Sequence, residues 1–279
     1  MTNVGKRRAS RTRIIVRLFC FGVALFACLS FSIEIKSYVV LMDKILLSGQ
    51  AKNLYGKLIG ENWDVVQGVK FNTLSTSDFS LIAHGNGFRN DALENSREAF
   101  QVSKAHGLKI FEIDIWTNAE GLHCSHEIFA SERVCDLSVL FEGLEKNDTI
   151  IIDLKSEFDT ALWALVTSQD PVLLKRMVVQ LQHPTDALVF KKMVSYFKGA
   201  IFTLYRSNRL LEDICHSLDS DAFPVMVINQ SKLGSAEIAC PNHKFIVHPV
   251  KRCDALRSLR TKSSVSGAFV SGEALFCKN

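Results

Sequence analysis

Short apolar segments alternate with helical segments along most of this chain, from Leu81 to the C-terminus. The apolar segments hold four to six residues each and are rich in Val, Ile and Phe, which is typical of strands buried on both faces. Strands separated by helices pair in parallel, because a parallel pair needs a long crossover. The nine strand candidates cover residues 81–84, 110–115, 122–126, 150–155, 177–181, 200–204, 225–228, 245–250 and 267–270.

About eight strand–helix units in roughly 200 residues predict a closed (β/α)₈ barrel, the TIM barrel. One of the nine candidates must then be spurious or lie outside the barrel. We suspect residues 225–228, because no long helical segment follows them. An open, doubly wound sheet is the alternative, but no glycine-rich nucleotide-binding loop follows any of the strands.

The N-terminus carries six basic residues and no acid between residues 6 and 17, followed by an apolar run that ends at residue 33. With Ile14 and Ile15 this run approaches the ~20 residues that span a bilayer. A cleaved signal peptide and a lipoprotein cleavage site before Cys28 are the alternatives to an uncleaved anchor. By the positive-inside rule, we expect a basic cytoplasmic tail (1–13), a transmembrane signal anchor (14–33), a connector (34–78) and an extracytoplasmic barrel (79–279).

The net charge of +4 comes from this N-terminal cluster, since the rest of the chain is close to neutral. Nucleic-acid binding needs a basic face on the folded domain, so we expect no nucleic-acid partner. The sequence does not indicate an oligomeric state. Two of the eight cysteines lie in the anchor. The other six could form disulfides in an oxidising compartment or serve as small buried apolar side chains.

Polar residues mark the C-terminal ends of the first four strand candidates, whose interiors are apolar. The carboxyl ends of barrel strands meet at one rim, where the active sites of such barrels lie. A solvated edge strand can also expose two acids, but it would not repeat the pattern at four consecutive strands. The residues at these ends are His84, Glu112, Asp114, His126, Asp153 and Lys155.

Glu112, Asp114 and Asp153 predict a divalent metal site at this rim. Alternation along a strand places Glu112 and Asp114 on the same face. Three carboxylates at one place repel one another unless a cation binds them, and Mg²⁺ or Ca²⁺ takes carboxylate oxygens. Histidines beside a metal are suited to moving protons at neutral pH, which predicts His84 and His126 as an acid–base pair.

Several motifs together resemble the glycerophosphodiester phosphodiesterases, a family in the wider superfamily that contains phosphatidylinositol-specific phospholipase C. Strong resemblance covers about residues 81–155. The matching runs are LIAH at 81–84, ENSREAF at 94–100, FEIDI at 111–115, CSHE at 124–127 and IIDLK at 151–155, with a worn last strand, GAFVS, at 267–271.

This resemblance implies a role for each matching residue. His84 and His126 match the acid–base pair, and Glu112 and Asp114 match metal ligands. The remaining match is on the fourth strand candidate, where Asp153 replaces a third carboxylate that is usually Glu and Lys155 matches a lysine near the substrate phosphate.

The sequence departs from the family where an Arg usually follows the first His, because Gly85 stands there. An Arg would clamp a phosphate with two hydrogen bonds. Arg89 and Asn95 are then the candidates for substrate contact nearby, and Gly85 would let a backbone N–H approach an anion. His248 stands where an aromatic-rich strand often lines the pocket. A divergent branch with a His-Gly-Gly-like motif also lacks this Arg.

The sequence therefore predicts a membrane-anchored, exported phosphodiesterase that acts on a glycerol- or inositol-type phosphodiester, such as a lipid head group or a polymer. One alternative is a catalytically silent barrel that binds a phosphorylated ligand or partner. Another is lipid cleavage of the sphingomyelinase D type, which uses the same set of residues.

Overall fold

Eight parallel strands close into a barrel in the computed structural model. The structure describes residues 62–72, 74, 78–88, 92–118, 120–126, 135–204, 207 and 211–277. The strand β1 (Ser80–Ala83) pairs with both β2 (Ile110–Asn118) and β9 (Val265–Val270), which closes the sheet. The predicted (β/α)₈ barrel is thereby confirmed. The strands between β2 and β9 are β4 (Thr149–Leu154), β5 (Met177–Leu181), β6 (Gly199–Thr203), β7 (Val225–Asn229) and β8 (Lys244–Val250).

Helices connect most successive barrel strands and cover the outside of the sheet. Local capping fixes where several of them begin: the side chain of Ser96 accepts a hydrogen bond from the backbone N–H of Ala99 (3.1 Å), for example. The helices are α1 (Arg97–Ala105), α2 (Leu137–Leu140), α3 (Phe158–Ser168), α4 (Pro171–Leu174), α5 (Pro184–Met193), α6 (Leu211–Ser217), α7 (Leu233–Ala239) and α8 (Cys253–Arg260).

The ninth strand, β3 (Gly121–Cys124), lies outside the barrel and pairs antiparallel with β2. The prediction that residues 225–228 lie outside the barrel was wrong, because those residues belong to β7 of the barrel. Asn118 pairs with Gly121, so only two residues join β2 to β3. A two-residue connection is long enough for an antiparallel hairpin but too short for a parallel crossover. His126 therefore follows a hairpin strand, and its prediction at the end of a barrel strand was wrong.

The barrel interior is apolar along the first part of the strands and polar toward their C-terminal ends. One cluster of buried apolar side chains is separate from the larger core between the sheet and the helices. It contains strand residues and Leu74 but none of the described helix residues, so it lies inside the barrel. Because side chains alternate along a strand, the next inward positions are polar. The interior cluster consists of Leu74, Ile82, Ile151, Val178, Ile201, Val225, Val227, Ile246 and Phe269.

Residues 62–72 and 74 pack against the barrel, although the sequence assigned them to the connector 34–78. Trp63 is 3% exposed, and its ring lies 5.2 Å from that of Phe202 on β6. The Asn72 carbonyl accepts a hydrogen bond from the N–H of Ala200 (3.0 Å) at the start of β6. A Cβ on Gly199 would lie 2.0 Å from that same carbonyl oxygen, so this close approach requires glycine.

No helix in the described part of the chain is long and apolar enough to cross a membrane. The predicted anchor at residues 14–33 lies outside the described residues.

The six cysteines beyond residue 33 form three disulfides. They join Cys124 to Cys135, Cys215 to Cys240 and Cys253 to Cys277, with Cα–Cα distances of 5.4, 5.5 and 5.6 Å. These distances are ordinary for disulfides. Of the two possibilities that the sequence left open, pairing is therefore the one observed. The first disulfide closes the loop that follows β3 and contains His126.

Candidate active site

Three buried carboxylates converge at the C-terminal end of the barrel. Glu112 and Asp114 extend inward from β2, and Asp153 lies on β4, where it pairs in register with Asp114. Each of these residues is at most 2% exposed, and one oxygen of each lies within 4.8 Å of the others. The structure thus brings together the three metal ligands that the sequence predicts.

The Glu112 carboxyl resists ionisation in this position. Burial raises its pKa well above its usual range, and the negative charges of Asp114 and Asp153 raise it further. Lys155 and the backbone N–H of Gly85 oppose this rise. A bound cation would favour the ionised form in the same way, so this set of groups fits a hard divalent ion.

Lys155 places its ammonium between two of the carboxylates. Its Nζ atom is 2.7 Å from Oδ1 of Asp114, and it also forms an ion pair with Oδ2 of Asp153. Three carboxylates and one ammonium, when all are ionised, leave two negative charges in a buried space. A divalent ion would neutralise that remainder.

Gly85 supports the site from the turn after β1. Its backbone N–H donates to Oε2 of Glu112 (2.7 Å), so the anion that this N–H approaches is a protein carboxylate. Gly85 has a φ of 56°, and an added Cβ would lie 3.0 Å from Cγ of Glu94. An Arg at position 85 would be strained in this left-handed conformation. The local backbone thus accounts for the missing Arg after His84.

Asn95 lies behind Asp114. Its Nδ2 donates to Oδ2 of Asp114 (3.2 Å), and its Oδ1 accepts from the N–H of Asp114 (3.1 Å). Asn95, which the sequence suggested as a substrate contact, therefore orients a candidate metal ligand, and its contact with substrate stays a prediction. Arg89, the other suggested contact, lies outside the described residues.

Gln182 is a site residue that the sequence reasoning missed. Its Nε2 donates to Oδ1 of Asp153 (2.6 Å). Asp186 fixes the backbone here, because its Oδ2 accepts from the N–H groups of Gln182 and His183 (3.0 and 2.9 Å). Continuing the alternation of β5 from the inward-facing Val178 would have identified Gln182 as inward-facing too.

The two predicted histidines have different surroundings. His84 is 4% exposed, and its Nε2 lies 3.0 Å from Nε2 of His248 on β8. His126 lies near β2, since its carbonyl accepts from Nε1 of Trp116 (3.3 Å) and the N–H of the preceding Ser125 donates to the carbonyl of Asp114 (3.1 Å). The residue after His84 thus contacts Glu112, and the backbone of His126 and Ser125 contacts β2.

Known proteins resemble this chain in their structures and not in their sequences. No family model matches the sequence, and no curated protein matches it. Solved structures do resemble it. A glycerophosphodiester phosphodiesterase from Thermotoga maritima has a TM-score of 0.54 at 13% identity, over 74% of this chain and 97% of that chain. A putative one from Silicibacter pomeroyi has a TM-score of 0.53 at 12% identity, over 77% and 96% of the two chains.

A phosphodiesterase from Oleispira antarctica, solved in complex with the product sn-glycerol-3-phosphate, is also similar. Its TM-score is 0.51 at 14% identity, over 68% of this chain and 92% of that chain. At these identities the likeness shows the fold alone: the chain shares the barrel fold of these three structures.

Proposed function

We propose that this chain is a metal-dependent phosphoric diester hydrolase that cleaves a glycerophosphodiester or a related lipid or polymer head group. The observation that carries the proposal is the set of three buried carboxylates with Lys155 at the mouth of the barrel. The product complex of the Oleispira antarctica phosphodiesterase supports a glycerol phosphate unit as one product.

The protein's own groups have separate tasks in this reaction. Glu112, Asp114 and Asp153 would hold the ion, which when bound offsets the negative charge that develops on the phosphoryl oxygens. Lys155 is a fixed cation beside them and stabilises the same charge. Because these groups are buried, their electrostatic effect is stronger than it would be in water.

His84 and His126 would move the protons. One takes a proton from the attacking hydroxyl, which belongs either to water or to the alcohol adjacent to the phosphate. The other gives a proton to the oxygen of the leaving alcohol. The backbone beside each histidine contacts the carboxylate-bearing residues, Gly85 with Glu112 and Ser125 with Asp114, which supports this division of labour.

We further propose that the barrel is exported and anchored by residues 14–33. The basic cluster followed by the apolar run supports the anchor. The three disulfides support export, because disulfides persist in oxidising compartments.

The test is turnover by the full-length chain on a panel of glycerophosphocholine, glycerophosphoinositol, lysophosphatidylcholine and sphingomyelin. We expect hydrolysis with Mg²⁺ or Ca²⁺ and none with a chelator. His126→Ala should lower kcat by about 10²–10⁴-fold and leave metal binding unchanged in calorimetry. The exposed His216 on α6 provides the matched control, His216→Ala.

Full activity of His126→Ala, or turnover in the presence of chelator, would contradict the proposal. Metal binding without turnover on the panel would instead indicate the silent, ligand-binding barrel. Choline release from sphingomyelin would indicate lipid cleavage of the sphingomyelinase D type.

A further inference from the structure

His248 lies on the inward face of β8 near its C-terminal end. Ile246, two residues earlier, belongs to the interior cluster, whereas the alternate residues Phe245 and Val247 belong to the outer core. Alternation therefore points His248 into the barrel, above Ile246. Its ring centroid lies 4.3 Å from that of His84.

Phe269 supports both imidazole rings. Its centroid lies 5.9 Å from the ring of His84 and 5.3 Å from that of His248, with an edge-on arrangement in each case. This packing holds the two rings against an apolar side chain and keeps them in contact with each other.

The hydrogen bond between the two rings needs one proton. The Nε2 atoms are 3.0 Å apart, and a ring nitrogen either carries a proton and donates or is bare and accepts. One Nε2 must therefore be protonated and the other bare. This contact couples the tautomer of His84 to the protonation of His248.

The two histidines differ in exposure as residues: His84 is 4% exposed, whereas His248 is only partly buried. The Nδ1 atom of each ring is buried. A positive charge is less costly on the residue that lies nearer to water, because burial of an ionised group is unfavourable.

From these observations we propose that His248 is the proton-carrying partner of His84. When Nδ1 of His84 accepts a proton, the proton on its Nε2 passes to Nε2 of His248. His84 is then neutral again with its proton on Nδ1, and His248 carries the positive charge with a proton on each nitrogen. The reverse transfer restores the starting state. His248 acts through His84 and is therefore a positioning residue. Its effect on catalysis rests on the proposed hydrolysis. The sharing of a proton between the two rings is independent of that proposal.

Two substitutions separate the shared proton from the packing. His248→Phe keeps an aromatic ring against Phe269 and removes both nitrogens. His248→Gln keeps a hydrogen-bonding group near the position of Nε2 but cannot carry a proton at neutral pH. His216→Phe is a surface control.

Long-range ¹H–¹⁵N correlation spectra of the full-length chain, labelled with ¹⁵N-histidine, report the tautomer of each ring. In the wild type we expect a proton on Nε2 of His84 and a bare Nε2 on His248. His248→Phe should shift the His84 nitrogen signals, and His248→Gln should leave them closer to the wild type. A bare Nε2 on His84, two protonated Nε2 atoms, or unchanged His84 signals in His248→Phe would overturn the proposal.

Kinetics test the proton transfer on whichever diester of the panel the wild type hydrolyses. Both His248→Phe and His248→Gln should lower kcat by about 10²-fold with little change in KM. Full kcat in His248→Gln would show that proton carriage is unnecessary and would overturn the relay. If the wild type hydrolyses no diester, the proposed function fails, and the spectra still decide whether the two rings share a proton.

Discussion

The side-chain amide of Gln182 donates a hydrogen bond to Asp153, with Nε2 2.6 Å from Oδ1. The other oxygen of Asp153 pairs with Lys155, so both carboxylate oxygens have fixed partners. The residue that follows β5 thereby contributes to the candidate metal centre as a partner of a candidate ligand. Partners of this kind orient the ligands of metal sites.

Gln182→Leu should weaken divalent metal binding by about 10–100-fold, because Asp153 loses the group that orients it. Calorimetric titration with Mg²⁺ and Ca²⁺ measures the effect. The matched control is Gln180→Leu two residues earlier, since the side chain of Gln180 accepts from Oγ1 of Thr203 (2.8 Å) instead. An equal loss of affinity in both variants would contradict the orienting role.

The raised pKa of Glu112 predicts that metal binding weakens as the pH falls. Only the ionised carboxylate binds the ion, and this group takes up its proton at a higher pH than an ordinary carboxyl. Calorimetric titrations from pH 8 down to pH 5 should show the affinity falling. A pH-independent affinity would show that the ionisation of Glu112 is not coupled to binding.

The same pKa shift predicts the stability of the metal-free protein. The folded state holds the Glu112 proton more tightly than the unfolded state, so stability falls as the pH rises from the ordinary glutamate pKa of 4.5 through the raised pKa. In chelator at pH 8, Glu112→Gln should therefore unfold about 2–4 °C higher than the wild type and lose the further rise that metal gives the wild type. The exposed Glu98→Gln should change neither.

Lys155→Met should separate metal binding from turnover. The substitution removes the ammonium that pairs with Asp114 and leaves the carboxylates more negative, so the affinity for Mg²⁺ should stay equal or rise. Turnover should fall by about 10²–10³-fold, because a fixed cation beside the phosphate is lost. Loss of metal binding in this variant would indicate that Lys155 mainly holds the carboxylates in place.

The disulfide Cys124–Cys135 should matter for activity beyond its effect on stability. Its loss costs about 2–4 kcal/mol and also releases the loop that contains His126. The double variant of Cys124→Ala and Cys135→Ala should lose kcat at a temperature where it remains folded. Removing Cys253–Cys277 by the same double substitution is the control, and equal losses of kcat would argue against a role in placing His126.

The barrel was predictable from sequence because its strands are apolar on both faces and separated by helices. The error at residues 122–126 arose because an apolar strand in a hairpin looks like one in a barrel until the two-residue connection after Asn118 is taken into account. The carboxylates were predictable because alternation fixes which residues of β2 and β4 face inward.

The hydrogen-bond partners of the candidate site residues could not be predicted from the sequence. Contacts such as Gln182 with Asp153 or His84 with His248 join distant parts of the chain, and they depend on distances across the closed barrel. The left-handed Gly85 likewise donates its N–H to Glu112, 27 residues away, and the sequence of the turn alone does not reveal that contact.

Leu74 has a consequence for how much of the chain is needed for folding. It fills the barrel interior, and Asn72 beside it meets the start of β6 so closely that only Gly199 fits there. A fragment that begins at residue 79 would contain every strand and every candidate site residue, yet it would lack Leu74 inside the barrel and Trp63 against Phe202. We therefore expect such a fragment to be less stable than one that begins before Trp63.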